Sequence, residues 1–367
     1  MAEIVLDGDK LRWHRQRVEA LLAGERVAPL TIDCALTRKC SYRCTYCYGQ
    51  MQDNPGEALS RDVIFRFLDD AAAIGVKAVS FVSDGESTCS PHLYAAILHG
   101  RANGLDMALG TNGYLLKDDR LEEILPALTY LRFNISAGEA GRYAQVHGCA
   151  EACFHKVRAT IEKCVRIART RRLPVTLGLQ MVLLPALADQ ILPLARLGGE
   201  LGVDYLVVKH CSDDENGTLG VDYAAYEALT PLLRQAEALS TDGYRVAVKW
   251  SKIRTGRNRI YAQCYGPPLI LQMSGSGLVA PCGMFFNERY SRFHIGNISR
   301  TPFIDLWRSE RYWDIMREIA SNRFNANTDC GTLCLQHKVN ERLWRLKRGE
   351  EVLRPGEGQE PLHVNFI

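Results

Sequence analysis

Nowhere do the 367 residues contain an apolar run long enough to cross a bilayer, which takes about 18–20 residues, so no segment reads as a membrane span. The opening stretch, MAEIVLDGDKLRWHRQRVEALLAG, carries acids early and has no continuous apolar core, which excludes a secretory signal. The expected compartment is the cytoplasm, where thiols stay reduced. Charge of one sign is not in excess. The 45 Lys and Arg against 42 Asp and Glu leave a formal +3, which argues against a dedicated nucleic-acid binder and leaves room for an acidic or phosphorylated ligand. No internal repeat appears beyond an alternation of strands and helices. At 47% hydrophobic and 24% charged, the chain is an ordinary globular sequence, sized for one large domain and a small one. Cysteine, by contrast, is abundant: 13 residues, an odd count in tight groups, for which metal ligation is a better reading than a disulfide framework.

Residues 10–24 show helical spacing of Leu11, Val18, Leu21 and Leu22 among basic residues, a peripheral amphipathic helix. From residue 31, short apolar runs alternate with longer helical stretches: TIDCAL (31–36), AVSFVS (78–83), LDMALG (105–110), LRFNIS (131–136), VTLGLQMVL (175–183) and YLVVKH (205–210). Between the first two, SRDVIFRFLDDAAAIG (60–75) has Ser60 as N-cap and Gly75 as C-cap. Six strand–helix units predict a parallel sheet covered by helices, an α/β partial (β/α)6 barrel. After the helix at 222–240 the rhythm breaks. YRVAVKW (244–250) reads as a strand, 268–283 as a hairpin around Ser-Gly-Ser-Gly, and 302–320 as a helix. The expected organisation is an N-terminal helix (1–29), the partial barrel (30–242), a small α+β domain (243–345) and an extended tail (346–367).

CSYRCTYCY (40–48) places Cys40, Cys44 and Cys47 just after the first strand, where loops of parallel α/β folds build active sites. Three thiolates are one short of a structural zinc site. A [4Fe–4S] cluster held by three leaves one iron open to a small molecule; a zinc knuckle borrowing a fourth ligand is the plainer alternative. The segment resembles the cluster loop of the radical S-adenosylmethionine (SAM) superfamily, C-x3-C-x-aromatic-C, with Tyr46 as the aromatic residue. The resemblance implies that SAM binds the open iron and is cleaved to a 5′-deoxyadenosyl radical, which takes a hydrogen atom from substrate while the protein positions and shields. SDGEST resembles the Gly-Gly-Glu motif of that family, with Asp84 in place of the first Gly and Gly85 and Glu86 retained. The same resemblance assigns Asn112 in GTNGYLL, Asn134 and Ser136 on the fourth strand, and Gln180 on the fifth to SAM binding. It covers roughly residues 30–215, and it implies an external one-electron reductant of flavodoxin or ferredoxin type.

Cys264 and Cys282 flank the hairpin, with Gly277 at its turn, and Cys330 and Cys334 follow as C-x3-C. Four thiolates so gathered suit zinc or a second cluster. Their spacing is similar to that of SPASM/twitch extensions. No cysteine follows Cys334, so the resemblance implies the twitch form, with one auxiliary [4Fe–4S] cluster and two clusters in all.

The reaction is less determined. An auxiliary cluster that accepts the electron of the substrate radical gives dehydrogenation, as in an enzyme of similar architecture that oxidises 2-deoxy-scyllo-inosamine. A thiol that returns a hydrogen atom gives epimerisation. Cys211, closing the sixth strand, is the candidate thiol and Cys89 the second; a buried small hydrophobe is the ordinary reading of either. Lys209 and His210 are candidates for binding substrate or acting as base, and alternation turns one of them inward. His147 is a weaker pocket candidate. Cys149, Cys153 and Cys164 take no role. Lys249, Lys252, Arg254, Arg257 and Arg259 form a basic stretch able to receive a phosphate, or simply a solvated loop. The thirty-nine residues before Cys40 read as one helix, without a leader-binding domain, which favours a small polar substrate such as a sugar, aminocyclitol or nucleoside derivative. A peptide-modifying enzyme is the alternative within catalysis, and an Fe–S electron carrier the alternative outside it.

Overall fold

Each of the six expected apolar runs supplies a strand: β1 Thr31–Cys34, β2 Ala78–Phe81, β3 Asp106–Thr111, β4 Leu128–Asn134, β5 Thr176–Leu183 and β6 Tyr205–His210. The computed structural model describes residues 9–54, 58–255, 258–331 and 334–367; Arg257 lies outside them. Between β1 and β2 the helix Arg61–Ile74 starts where Ser60 Oγ accepts the amide hydrogen of Val63, and ends at Gly75 with φ +93°, a left-handed turn that favours glycine. Helix Glu151–Thr170 buries Cys153 and Cys164 with Phe154, Val157 and Ile161, which makes those two cysteines core residues.

The sheet extends beyond the expected six strands. Arg245–Val248, expected in the small domain, is β7 and pairs parallel with β6, Tyr205 opposite Arg245 and Val208 opposite Val248. The hairpin strands β8 (Ile270–Met273) and β9 (Leu278–Ala280) do not stand apart either. β8 pairs parallel with β1, and β9 pairs antiparallel with both β8 and the short β10 (Gly296–Asn297). The result is one open ten-stranded sheet, ordered β10-β9-β8-β1-β2-β3-β4-β5-β6-β7. The barrel and the cysteine-rich region thus share a continuous backbone ladder, which fixes the second cysteine group relative to the first.

The terminal segments are also more integrated than expected. Leu11 and Val18 pack with Leu269, Val339 and Leu343 in a small separate core, so the N-terminal segment is joined to the helix His337–Lys347. The tail folds back across the N-terminal ends of the barrel strands. Thr31 Oγ1 donates to Asn365 O at 2.7 Å, Lys10 Nζ to Phe366 O at 2.8 Å, and Thr176 Oγ1 shares a 2.6 Å hydrogen bond with His363. Phe366 meets the Tyr130 ring edge-on at 4.9 Å. The Gly/Glu/Pro-rich composition that suggested a loose tail ends at Pro361; LHVNFI, after it, has the apolar and aromatic residues that dock. Among the described residues no helix is long and apolar enough to cross a membrane.

Candidate active site

The cysteine loop leaves β1 and is held by the end of helix Ala140–His147. Arg43 N donates to His147 O at 3.0 Å and Thr45 N to Val146 O at 2.9 Å. Burial raises the pKa of all three thiols, Cys40 to about 11, and nearby thiol charge adds to the effect at Cys40 and Cys44. Gathered thiolates that repel each other need a compensating cation. Among the described residues no three His, Cys, Asp or Glu side chains close on a single point as they would around one ion. Thiols that share a loop without converging suit the corners of a polynuclear cluster.

His147 contributes more than a loop histidine would. It is fully buried, and its Nε2 accepts the Ser136 amide hydrogen at 3.1 Å. Burial lowers its pKa to about 3, so the ring is neutral and its one proton sits on Nδ1. That Nδ1 lies 3.1 Å from Cys44 Sγ and donates to it. Tyr42, Tyr46 and Tyr143 pack around the ring.

The loop after β2 clamps the cysteine loop from the other side. A methyl group on Gly85 would overlap the Thr37 carbonyl, and one on Gly275 of the β8–β9 turn would overlap the same peptide. Thr37 is therefore sandwiched between two glycines, and Glu86 N donates to Lys39 O at 2.9 Å. The Glu86 carboxylate accepts four hydrogen bonds, from Thr88 N and Oγ1, Thr111 Oγ1 and Asn112 N. Asp84, expected at SAM, turns the opposite way. Its carboxylate accepts from Ser274 Oγ at 2.5 Å and Gly275 N at 2.9 Å, with Arg38 Nε at 3.4 Å. Having a side chain where the motif has glycine, Asp84 ties the β2 loop to the hairpin.

The second cysteine group comes together as expected. Burial raises Cys264, and the next causes in order are Cys334, Cys330 and Cys282. Asn340 Nδ2 spans two of them, 3.5 Å from Cys264 Sγ and 3.3 Å from Cys334 Sγ, while its Oδ1 accepts from Tyr265 N and Gly266 N at 2.7 Å. Arg259 Nη1 donates to Cys330 Sγ at 3.1 Å. Donors to sulfur and a nearby guanidinium suit thiolates carrying a cluster.

Comparison with known proteins agrees with both cysteine groups. Residues 35–197 match the radical SAM superfamily and residues 264–334 match the SPASM iron–sulfur cluster-binding domain. The chain carries a radical SAM domain followed by a SPASM domain. It binds SAM and a [4Fe–4S] cluster in the first domain, and its SPASM domain is an auxiliary iron–sulfur domain. It is 22% identical to a tungsten-containing aldehyde ferredoxin oxidoreductase cofactor-modifying protein of Pyrococcus furiosus, over 80% of this chain and 85% of that one. It is 25% identical to an AdoMet-dependent heme synthase of Methanosarcina barkeri, over 79% and 85%. In fold it is similar to Streptococcus suis SuiB bound to S-adenosylmethionine (TM-score 0.64, 16% identity, 82% of this chain and 71% of that one). It is likewise similar to anSMEcpe with bound AdoMet (TM-score 0.58, 13% identity, 88% and 100%).

The barrel lumen is a cavity of about 380 Å³ that runs from Cys40, Cys44 and Cys47 down to Phe366. Tyr46, Gly85, Glu86, Asn112, Asn134 and Gln180 line it. Asn112 Nδ2 donates to Ser41 Oγ at 3.0 Å and Gln180 Nε2 to Asn134 Oδ1 at 2.9 Å, so these amides are pre-oriented. Ser136 stands behind this wall, its Oγ accepting from Val182 N at 3.1 Å. Lys209 and His210 both line the chamber. Burial, with Arg132 and Lys252 nearby, lowers Lys209 to about 7. Burial lowers His210 to about 3, and nearby Lys252 adds to the effect. Cys211 does not line the chamber. Its Sγ donates to Tyr46 O and Ser212 O at 3.6 Å, and burial raises it to about 12. Cys89 sits near Glu86, also outside the lining. Sequence reasoning missed Asp33 and Arg132. Both lie at alternate, lumen-facing positions of strands read as apolar runs, and the period-two pattern was the signal that could have found them.

Proposed function

We propose that this radical SAM enzyme abstracts a hydrogen atom from a small polar substrate held in the barrel lumen, with net oxidation as the outcome. The observation that carries this reading is the reach of the chamber. One continuous cavity touches the three cysteines of the first loop and also Gln272, Leu335 and Gln336, which stand beside the second cysteine group. A substrate there sits between the two groups. When bound, SAM and its cluster supply the radical. The protein's own part is to seat the substrate, exclude water and keep a second redox centre within reach. Lys209 and His210 are the wall residues placed to orient or deprotonate a hydroxyl or amine. Because the Cys211 thiol is directed at the Tyr46 carbonyl and stands outside the lining, epimerisation lacks a donor facing the substrate, which favours oxidation.

Cofactor and tetrapyrrole relatives support a non-peptide substrate. The heme synthase and a pre-heme d1 synthase of Dinoroseobacter shibae align over 85% and 71% of their own lengths, against 47% for a PqqA peptide cyclase of Methylobacterium. The test is anaerobic incubation of reduced, reconstituted protein with SAM and candidate substrates deuterated at the reacting carbon. Formation of 5′-deoxyadenosine, deuterium transfer into it and loss of two hydrogens from product are expected. Product that keeps its oxidation state and gains solvent deuterium would establish epimerisation instead.

A further inference from the structure

The chamber wall is unequal in charge. On the side of β4, β6 and β7 it carries Arg132, Lys209, Lys249 and Lys252. Among the described residues two acidic side chains, Asp33 and Glu86, share the wall, and Glu86 is already bonded to four donors. Asp33 is a weak counter-charge. Burial raises its pKa to about 6 even though Arg132, Lys209 and Lys249 pull it down. Among the described residues none of the four cations makes an ion pair with a carboxylate. Arg132 rests on the Tyr130 ring at 5.6 Å, its Nε without a hydrogen-bond partner among the described residues, and Lys252 Nζ donates to Leu335 O at 3.4 Å. Burial lowers the pKa of Lys209, Lys249 and Lys252, so without a counter-charge these amines give up protons that a bound anion would restore. Three such amines and a guanidinium gathered around one cavity are completed by negative charge brought from outside.

We propose that the substrate of this enzyme is a small polyanion, with at least two carboxylate or phosphate groups anchored by Arg132, Lys209, Lys249 and Lys252. This rests on the reading of the lumen as substrate chamber. The cations stand on β4, on β6 and in the segment after β7, whereas Glu86 and Asn112 follow β2 and β3, so SAM and the anion would draw on different strand ends. Lys252 lies near Cys282 and Cys334, whose charge it feels. The anchored groups would therefore face the second cysteine group, and the reacting carbon the first. The carboxylate or phosphate oxygens would take the charge-assisted hydrogen bonds that these donors lack.

The experiment is anaerobic calorimetry on the SAM-saturated holoenzyme, with tricarballylate as the carboxylate probe, pyrophosphate as the phosphate probe and glycerol as the neutral control. Saturable one-to-one binding of at least one anion is expected, with no heat from glycerol. Whichever anion binds more tightly identifies the group. Lys209→Met and Lys249→Met should each weaken it by about tenfold or more, the usual scale for removing a charged partner. Arg254→Met, at an exposed position of the same segment, should leave it unchanged. Because methionine replaces a buried amine that makes no ion pair among the described residues, both variants should melt no lower than wild type without anion; Arg132→Gln provides a third, independent reading. Absence of binding by both anions overturns the proposal, as does undiminished binding in the Lys209→Met/Lys249→Met protein. Uncoupled 5′-deoxyadenosine formation, measured on the same preparation, separates the two readings. If it persists without anion binding, only the polyanion fails; if anion binds and none forms, the radical reading fails.

Discussion

The Nδ1 of His147 donates a 3.1 Å hydrogen bond to the Sγ of Cys44, with its tautomer set by the Ser136 amide at Nε2. Hydrogen bonds to cluster sulfur favour the reduced state, because they offset its extra negative charge. His147→Phe keeps an aromatic ring among Tyr42, Tyr46 and Tyr143 and deletes the donor. The midpoint potential of the SAM-site cluster should fall by tens of millivolts, bounded by about 60 mV for a tenfold one-electron shift. An EPR-monitored redox titration measures it. An unchanged potential would show that the contact is structural only.

Asp84 gives the opposite kind of prediction, one of stability without loss of ligand. Its carboxylate joins Arg38, Ser274 and Gly275 across the sheet. Asp84→Ala leaves Arg38 without its carboxylate partner and the Ser274 and Gly275 donors without an acceptor, and should cost about 1–3 kcal/mol in chemical denaturation. SAM affinity of the folded protein should change less than about threefold, under 1 kcal/mol, since the side chain faces away from the chamber.

Gly85 faces a backbone that cannot yield. A methyl group there collides with the Thr37 carbonyl one residue before Arg38, where the cysteine loop begins. Overpacking of this kind costs about 1–3 kcal/mol, and here it displaces the loop that carries Cys40. Gly85→Ala should reconstitute with less iron at the first site. Gly243→Ala is the control: an added methyl there meets nothing within 4 Å.

The second cysteine group is tested by metal content. Reconstituted protein should hold about eight irons, four per cubane. Cys330→Ala should lower the count towards four without abolishing SAM cleavage, because the first loop is untouched. Stoichiometric zinc in place of the missing iron would reassign the group.

Cys211→Ala separates the redox outcome from its rival. With its thiol aimed at Tyr46 O, Cys211 should be dispensable to deuterium transfer and to oxidised product. Turnover should stay within about threefold of wild type, a change of under 1 kcal/mol in barrier. Loss of product with SAM cleavage intact would restore it as a hydrogen donor.

Much of this molecule was legible in local sequence. Ser60 and Gly75 announced a helix by their backbone chemistry, and Cys40, Cys44 and Cys47 announced a metal loop by being three. What escaped were relationships that exist only after strands pair. Asp84 was read by its neighbours Gly85 and Glu86, but its direction is decided by Ser274, 190 positions away. Whether Arg245–Val248 ends the barrel or begins a second domain depends on a ladder with Tyr205–Val208 that no local pattern encodes. Arg132 was hidden because a strand lining a chamber has the same hydrophobic average as one buried on both faces.

The tail adds an ordering in time. Thr31 opens the first strand, yet its hydroxyl is bonded to a residue 334 positions later. A ribosome delivers both cysteine groups before it delivers His363 and Phe366. Until those arrive, the lower end of the chamber has no floor, and the lumen stands open to solvent from below. Cluster loading during that interval would meet a lumen without the lining that His363, Phe366 and Ile367 supply.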